Sequence, residues 1–176
     1  MGGRVVMLGD SLTAGNGWGQ AFPDCRILNL SIGGDTCAGV WNRLDKVAMA
    51  KPDLIFLMIG TNDFLRGATV EELRQGHLRI WDELIRDLPK TKLYIQSIPP
   101  YMEEALPGLY PNLDLVDVNH FLADEADRRN LVFIDVFSAL ANEDKQLPPE
   151  YTTDGIHLSR AAYRVWEDLL RPYLVC

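Results

Sequence analysis

The sequence predicts an α/β protein, a three-layer α/β/α sandwich around a roughly five-stranded parallel sheet. Three observations carry that expectation. Short apolar runs recur at residues 5–8, 54–59 and 131–134, the length and character of strands buried on both faces. Apolar residues at helical spacing fill the segments between them. Strand and helix alternate from end to end, with no internal repeat, low-complexity tract or linker, and such alternation calls for a parallel sheet, right-handed crossovers and helices on both faces. At 176 residues the chain can bury a core without disulfide or metal support, so one domain over 1–176 is expected.

The first strand, residues 5–8, ends in Gly9-Asp10-Ser11-Leu12. A buried strand opening into small polar residues reads as a sharp turn that holds the Ser11 hydroxyl at the mouth of the sheet. Residues 18–22 read as a short helix stopped by Pro23-Asp24, ahead of a second strand at 26–30. The loop Ser31-Ile32-Gly33-Gly34-Asp35-Thr36 leads into a helix over 38–50, with Val40, Trp41, Leu44, Val47 and Ala48 at helical spacing and Asp35 or Thr36 as N-cap. Residues 54–59 form the third strand, ending in Gly60-Thr61-Asn62-Asp63.

Thr69 and Glu72 have the spacing of a capping box at the head of a helix with the apolar stripe Leu73, Ile80, Trp81, Leu84, Ile85 and Leu88. His77 shares that stripe and reads as a core or boundary histidine. Residues 92–98 form the fourth strand, closed by Pro99-Pro100, and a surface loop follows as far as Pro111. A helix over 112–129 is expected to present Leu113, Val116, His120, Ala123 and Ala126 on one face, with His120 structural. Residues 131–135 form the fifth strand. The last helix, 160–173, takes Ser159 as N-cap and buries Ala162, Trp166, Leu169, Leu170 and Tyr173, while Leu158 and Tyr163 form a hydrophobic staple.

With 17 basic and 25 acidic residues the formal charge is −8, which argues against a nucleic-acid or anionic-membrane surface. No apolar run approaches the ~20 residues that span a bilayer, so no stable membrane insertion is expected. The start lacks the charged and apolar regions of a signal peptide, giving the expectation of a cytoplasmic protein or one whose signal peptide was removed. Cys25, Cys37 and Cys176 are odd in number and lack zinc-site spacing, so reduced thiols are expected. The sequence carries no mark of oligomeric state.

Three of the small polar segments follow strands, and in a parallel sheet those loops open on one edge. Acyl transfer by serine needs a hydroxyl, a base, an acid group that orients the base, and donors for the developing oxyanion. Ser11, His157 and Asp154 match the first three, with Gly155 allowing a tight turn between acid and base. The oxyanion donors are the Ser11 and Gly34 N–H groups and the Asn62 amide. Taken one by one, Gly34 reads as a turn glycine, Asn62 as an Asx-turn residue and Asp154-Gly155 as an ordinary turn. Five complementary roles at matching topological positions outweigh those readings. Trp18, Tyr101, Met102, Leu106, Leu109 and Tyr110 either wall an apolar acyl pocket or pack the loop onto the domain.

Gly9-Asp10-Ser11-Leu12, Ser31-Ile32-Gly33-Gly34-Asp35-Thr36, Gly60-Thr61-Asn62-Asp63 and Asp154-Gly155-Ile156-His157-Leu158 resemble the four sequence blocks of the SGNH-hydrolase, or GDSL lipase/esterase, superfamily. They span almost the entire chain in the family's order. The resemblance implies Ser11 as nucleophile, His157 as general base, Asp154 as its partner, and Gly34 and Asn62 with the Ser11 amide as oxyanion donors. Gly34 is chosen over Gly33 because it directly precedes Asp35-Thr36, as in related blocks. The resemblance further implies a flavodoxin-like sandwich, no cofactor or metal, and small acyl or acetyl esters hydrolysed through an acyl-enzyme. The opening Gly-Asp-Ser-Leu-Thr-Ala-Gly is similar to the bacterial lysophospholipase/thioesterase/arylesterase branch, with a carbohydrate acetylesterase as the alternative. Two readings from outside the family remain. A divalent metal among Asp10, Asp135, Asp154 and His157 would make a phosphoesterase, and the fold could serve as a non-catalytic module for acyl groups or sugars.

Overall fold

The computed structural model describes residues 3–106 and 111–174. Five strands, β1 (Arg4–Gly9), β2 (Arg26–Asn29), β3 (Leu54–Met58), β4 (Lys92–Gln96) and β5 (Val132–Ile134), make one sheet in the order β2-β1-β3-β4-β5. Every neighbouring pair is parallel. This is the flavodoxin-like doubly wound order, whose direction of winding reverses between β1 and β3 and leaves a crevice there at the carboxyl ends of the strands.

The helices are α1 (Ser11–Ala14), α2 (Trp18–Ala21), α3 (Cys37–Trp41), α4 (Leu44–Met49), α5 (Thr61–Leu65), α6 (Val70–Asp87), α7 (Asn112–Arg128), α8 (Val136–Leu140) and α9 (Arg160–Leu170). Successive strand residues point to opposite faces, which divides the core in two. Val6, Leu8, Ile55, Leu57, Leu93 and Ile95 pack with residues of α3, α4, α6 and α7. Val5, Met7, Phe56, Met58, Tyr94 and Ile134 pack with α1, α2 and α9. α8 divides its apolar residues, giving Phe137 to the first cluster and Val136 and Leu140 to the second.

Local signals shape several boundaries as expected. Thr69 and Glu72 form the capping box of α6. His77 is fully buried, its Nε2 3.0 Å from the Ile59 carbonyl, and desolvation brings its pKa down to about 4, so the ring is neutral and Nε2–H donates. Ser159 caps α9, and Leu158 and Tyr163 are buried in the same cluster.

Elsewhere the structure departs from the sequence reading. The helix expected over 38–50 is two helices, broken at Asn42 and Arg43, where the Arg43 guanidinium reaches back to Asp35 and to the Leu30 and Gly9 carbonyls. α7 is rotated relative to the expected face: Leu113 and His120 are exposed, whereas Leu115, Val118, Asn119 and Leu122 are buried. Ile85, expected on the α6 stripe, is 40% exposed. The last helix ends at Leu170, and a 3-10 turn (Arg171–Tyr173) follows. Cys37 is a buried free thiol, but Cys25 is disulfide-bonded, which corrects the expectation of reduced thiols throughout. No helix among the described residues is long and apolar enough to cross a membrane.

Candidate active site

Ser11 stands just past the end of β1, as the first residue of α1. Asp10 caps that helix, its Oδ1 accepting from Leu12 N at 3.0 Å. As a first-turn residue Ser11 has no intrahelical acceptor for its N–H, which leaves the donor available beside the hydroxyl. Asp10 itself is fully buried. Burial drives its carboxyl up to about 7, and the nearby carboxylates of Asp63 and Asp35 add to the rise.

His157 arrives on the loop between a 3-10 turn (Pro149–Tyr151) and α9. Thr152 shapes this loop: its Oγ accepts from Gly155 N at 2.8 Å and donates to the His157 carbonyl at 2.9 Å. Gly155 has φ +94°, and a Cβ there would lie 2.4 Å from the Ala105 Cβ, so both backbone and space require glycine. Its carbonyl accepts from Met102 N at 2.8 Å, fastening the loop to residues 102–106.

The Asp154 carboxylate divides its two oxygens. Oδ1 accepts from His157 N at 2.7 Å and Ile156 N at 3.0 Å, while Oδ2 lies 2.6 Å from His157 Nδ1. Desolvation would raise this carboxyl, but the hydrogen bonds from the His157 ring and the two backbone amides outweigh it and hold the pKa down at about 2. An ionised carboxylate only accepts, so the shared proton sits on Nδ1. Nε2 is then an acceptor, and it lies 3.1 Å from Ser11 Oγ. The structure thus brings Ser11, His157 and Asp154 into one hydrogen-bonded line.

The other two candidate donors flank the β1/β3 crevice. Gly34, with φ +75°, lies in the loop after β2, and its N–H has no hydrogen-bond partner among the described residues. Asn62 belongs to α5, directly after β3, and gives one amide N–H to the Asp35 carbonyl at 3.0 Å, leaving the second for a ligand. Gly33 also sits close: a Cβ there would lie 3.9 Å from the Ser11 Cβ.

Two arginines that sequence reasoning passed over hold this loop. Arg43 binds Asp35 through Nε at 2.8 Å and Nη2 at 2.7 Å, both side chains being nearly buried. Arg66 donates from Nη2 to the Gly34 carbonyl at 2.9 Å. The available signal was spacing alone, since Arg66 follows Asn62 by four residues and shares its helix face. Asp63, from the same block, accepts the Cys37 N–H at 3.0 and 3.1 Å and so ties α5 to the start of α3.

The expected pocket walls are placed differently. Trp18 is 1% exposed, bonded through Nε1 to the Thr13 carbonyl and stacked edge-on against Trp166. Tyr101 is 2% exposed and packed against Phe64. Both belong to the core, where large aromatic surfaces are best removed from water, rather than to an exposed wall. Tyr110 and Leu109 lie outside the described residues. Two clefts adjoin the site's loops. One of about 480 Å³ is lined by Gly15, Asn16, Gln20 and Arg160; another of about 450 Å³ is lined by Met102, Glu103, Asp144 and Gln146. The carboxylates of the metal reading are engaged in other bonds: Asp10 caps α1, Asp135 caps α8 and accepts from Ser97 Oγ, and Asp154 serves His157. Among the described residues no group of three or more His, Cys, Asp or Glu is placed to hold a metal ion.

Known proteins resemble this chain over most of its length. Residues 7–165 match the family model described as the GDSL-like lipase/acylhydrolase family. The chain is 29% identical over 166 residues to platelet-activating factor acetylhydrolase IB subunit alpha2 of Gallus gallus, covering 90% of this chain and 70% of that one. It is 31% identical over 111 residues to esterase TesA of Pseudomonas aeruginosa, covering 54% of this chain and 55% of the relative, so it spans just over half of TesA's length. A solved structure from Streptococcus pneumonia, provisionally described as a platelet activating factor, superposes with a TM-score of 0.88 at 29% identity, over 99% of this chain and 85% of that one.

Proposed function

The chain belongs to the GDSL-like lipase/acylhydrolase family, and from that premise we propose that it hydrolyses carboxylic esters of small molecules with Ser11 as nucleophile. The observation that carries the reading is the His157 ring engaged at both nitrogens, by Asp154 at 2.6 Å and by Ser11 Oγ at 3.1 Å. Ser11 Oγ attacks the acyl carbonyl as its proton passes to His157 Nε2. Asp154, ionised because its pKa lies near 2, stabilises the imidazolium without taking the proton. The carbonyl oxygen becomes an oxyanion held by the Ser11 and Gly34 N–H groups and the free Asn62 amide hydrogen. His157 returns its proton to the departing alkoxide, leaving an acyl-Ser11 ester. Water, deprotonated by the same nitrogen, attacks that ester and releases the carboxylic acid.

A polar leaving group suits one side of this site. The cleft lined by Gly15, Asn16, Gln20 and Arg160 is mostly polar, whereas the cleft beside Met102 mixes polar groups with Met102, Leu147 and Pro149, so the first favours a polar part of the substrate. The chain acts in this reading as one hydrolase domain over 1–176, with no metal or cofactor in any step. Turnover of a short-chain nitrophenyl ester, with stoichiometric labelling of Ser11 by an organophosphonate, tests it. Ser11→Ala is expected to lose both, and labelling that persists in Ser11→Ala rules Ser11 out as the nucleophile.

A further inference from the structure

We propose that Arg66 is a positioning residue for the oxyanion hole, clasping the Gly34 carbonyl so that the Gly34 N–H stays aimed at the substrate and setting a cation beside the donors. The proposal rests on the serine-hydrolase reading above. Its basis is a pair of contacts from one turn of helix. Asn62 and Arg66 stand four residues apart, on the same face of α5 and its cap. They bind two consecutive carbonyls of the neighbouring loop, Asn62 Nδ2 that of Asp35 at 3.0 Å and Arg66 Nη2 that of Gly34 at 2.9 Å. The loop is therefore held by the element that supplies another of its oxyanion donors.

Gly34 needs such a clasp. Its φ of +75° lies in the left-handed region, and a glycine moves between wells there with little resistance. Fixing its carbonyl, together with that of Asp35, anchors the C-terminal side of the residue, so the segment that carries the Gly34 N–H is held at one end and has less room to move away from Ser11. The guanidinium also packs onto the residue: the position a Gly34 Cβ would take is 3.8 Å from Arg66 Nη2, which puts the cation within about 6 Å of the Gly34 nitrogen by backbone dimensions. Among the described residues no carboxylate lies within ion-pair distance of that charge. Asp63, on which Arg66 has only a minor lowering effect, directs both oxygens to the Cys37 N–H. An exposed arginine with a carbonyl partner at the rim of an oxyanion site thus adds both geometry and field in the transition state.

The test compares wild type, Arg66→Ala, Arg66→Lys and Ser11→Ala on nitrophenyl acetate, with thermal unfolding recorded for each. Arg66→Ala is expected to lose about tenfold in kcat, with KM within twofold and the unfolding midpoint unchanged. Arg66→Lys, or guanidinium ion added to Arg66→Ala, should restore part of the loss. Phenylboronic acid, which forms a tetrahedral adduct on a reactive serine, should weaken by a similar factor in Arg66→Ala. A kcat within twofold of wild type, a loss confined to KM, or a loss that tracks a lowered midpoint and resists both rescues overturns the proposal. Ser11→Ala separates the two levels: if it keeps turnover, the serine reading itself falls and takes the proposal with it.

Discussion

Exchanging Asp154 for asparagine should disable the site more thoroughly than exchanging it for alanine. The two Asp154 oxygens serve partners of the same kind, donors on every side: backbone N–H groups of Ile156 and His157 at Oδ1, and the imidazole Nδ1–H at Oδ2. An asparagine has one acceptor and one donor end. If its oxygen keeps the backbone amides, its NH₂ faces Nδ1 and forces the ring proton onto Nε2, where it blocks proton uptake from Ser11. If it turns over, the NH₂ meets two backbone donors and the loop must open. For a buried triad such an acid-to-amide exchange costs about 10⁴ in turnover, or about 5.5 kcal/mol, and a similar loss is expected here because the tautomer trap does not depend on burial. In Asp154→Ala, water can take the carboxylate's place, since the Asp154 and His157 side chains are 52% and 49% exposed. The expected loss is then nearer 10², about 2.7 kcal/mol. The assay is kcat on a short-chain nitrophenyl ester near neutral pH, with thermal unfolding to show that both variants fold. An asparagine variant as active as the alanine variant, or more so, refutes the division of labour between the two oxygens.

Asn62→Ala should lower kcat by about 10²-fold while changing KM by less than threefold, in line with the loss of one oxyanion donor; an unchanged kcat on the same ester removes Asn62 from that role. Asp10 makes a prediction about stability. Its carboxyl gives up its proton only near pH 7 in the fold, against 3.8 ordinarily, so between those values the folded state holds a proton that the unfolded state has lost. Stability should therefore decline from about pH 4 to pH 7 and level off above, by at most about 4 kcal/mol. Asp10→Asn should flatten that decline, as measured by urea unfolding at pH 4, 5.5, 7 and 8, and a slope identical to wild type rejects the buried neutral acid.

Much of this architecture was legible because parallel strands announce themselves as apolar runs. The Ser11, Asn62 and His157 segments were equally readable, since each pairs a strand end or helix cap with chemistry that needs a partner. What hydrophobicity could not show is where polar groups decide the packing. α7 turns toward the sheet the face carrying Asn112 and Asn119, which bind the N–H and carbonyl of Tyr101 and of Ile98 respectively. Those backbone groups leave the ladder after β4 and would otherwise be buried unpaired, so two asparagines outweigh Leu113 in orienting the helix. Arg43 breaks the 38–50 segment in a similar way, because its guanidinium donates to the Leu30 carbonyl past the end of β2 and joins Ile32 N on the Gly9 carbonyl at the end of β1. Trp18 and Tyr101 looked like substrate contacts because their segments adjoin the site, but neighbourhood in sequence does not say which way a side chain turns.

Ser11 and His157 are separated by 146 positions, and that separation has a consequence in time. At ribosomal rates of ~5–20 residues per second, roughly 7–30 s pass between the synthesis of Ser11 and that of His157. Throughout that interval the emerging chain carries a serine with no group to take its proton. The loop bearing that histidine is, moreover, held by Thr152, by Met102 and by the seating of α9. In the serine-hydrolase reading, a product truncated before His157 lacks the base that Ser11 needs and is expected to be inactive toward esters. In that reading, turnover reports that the chain has been made at least as far as His157 and that its two distant ends have folded together.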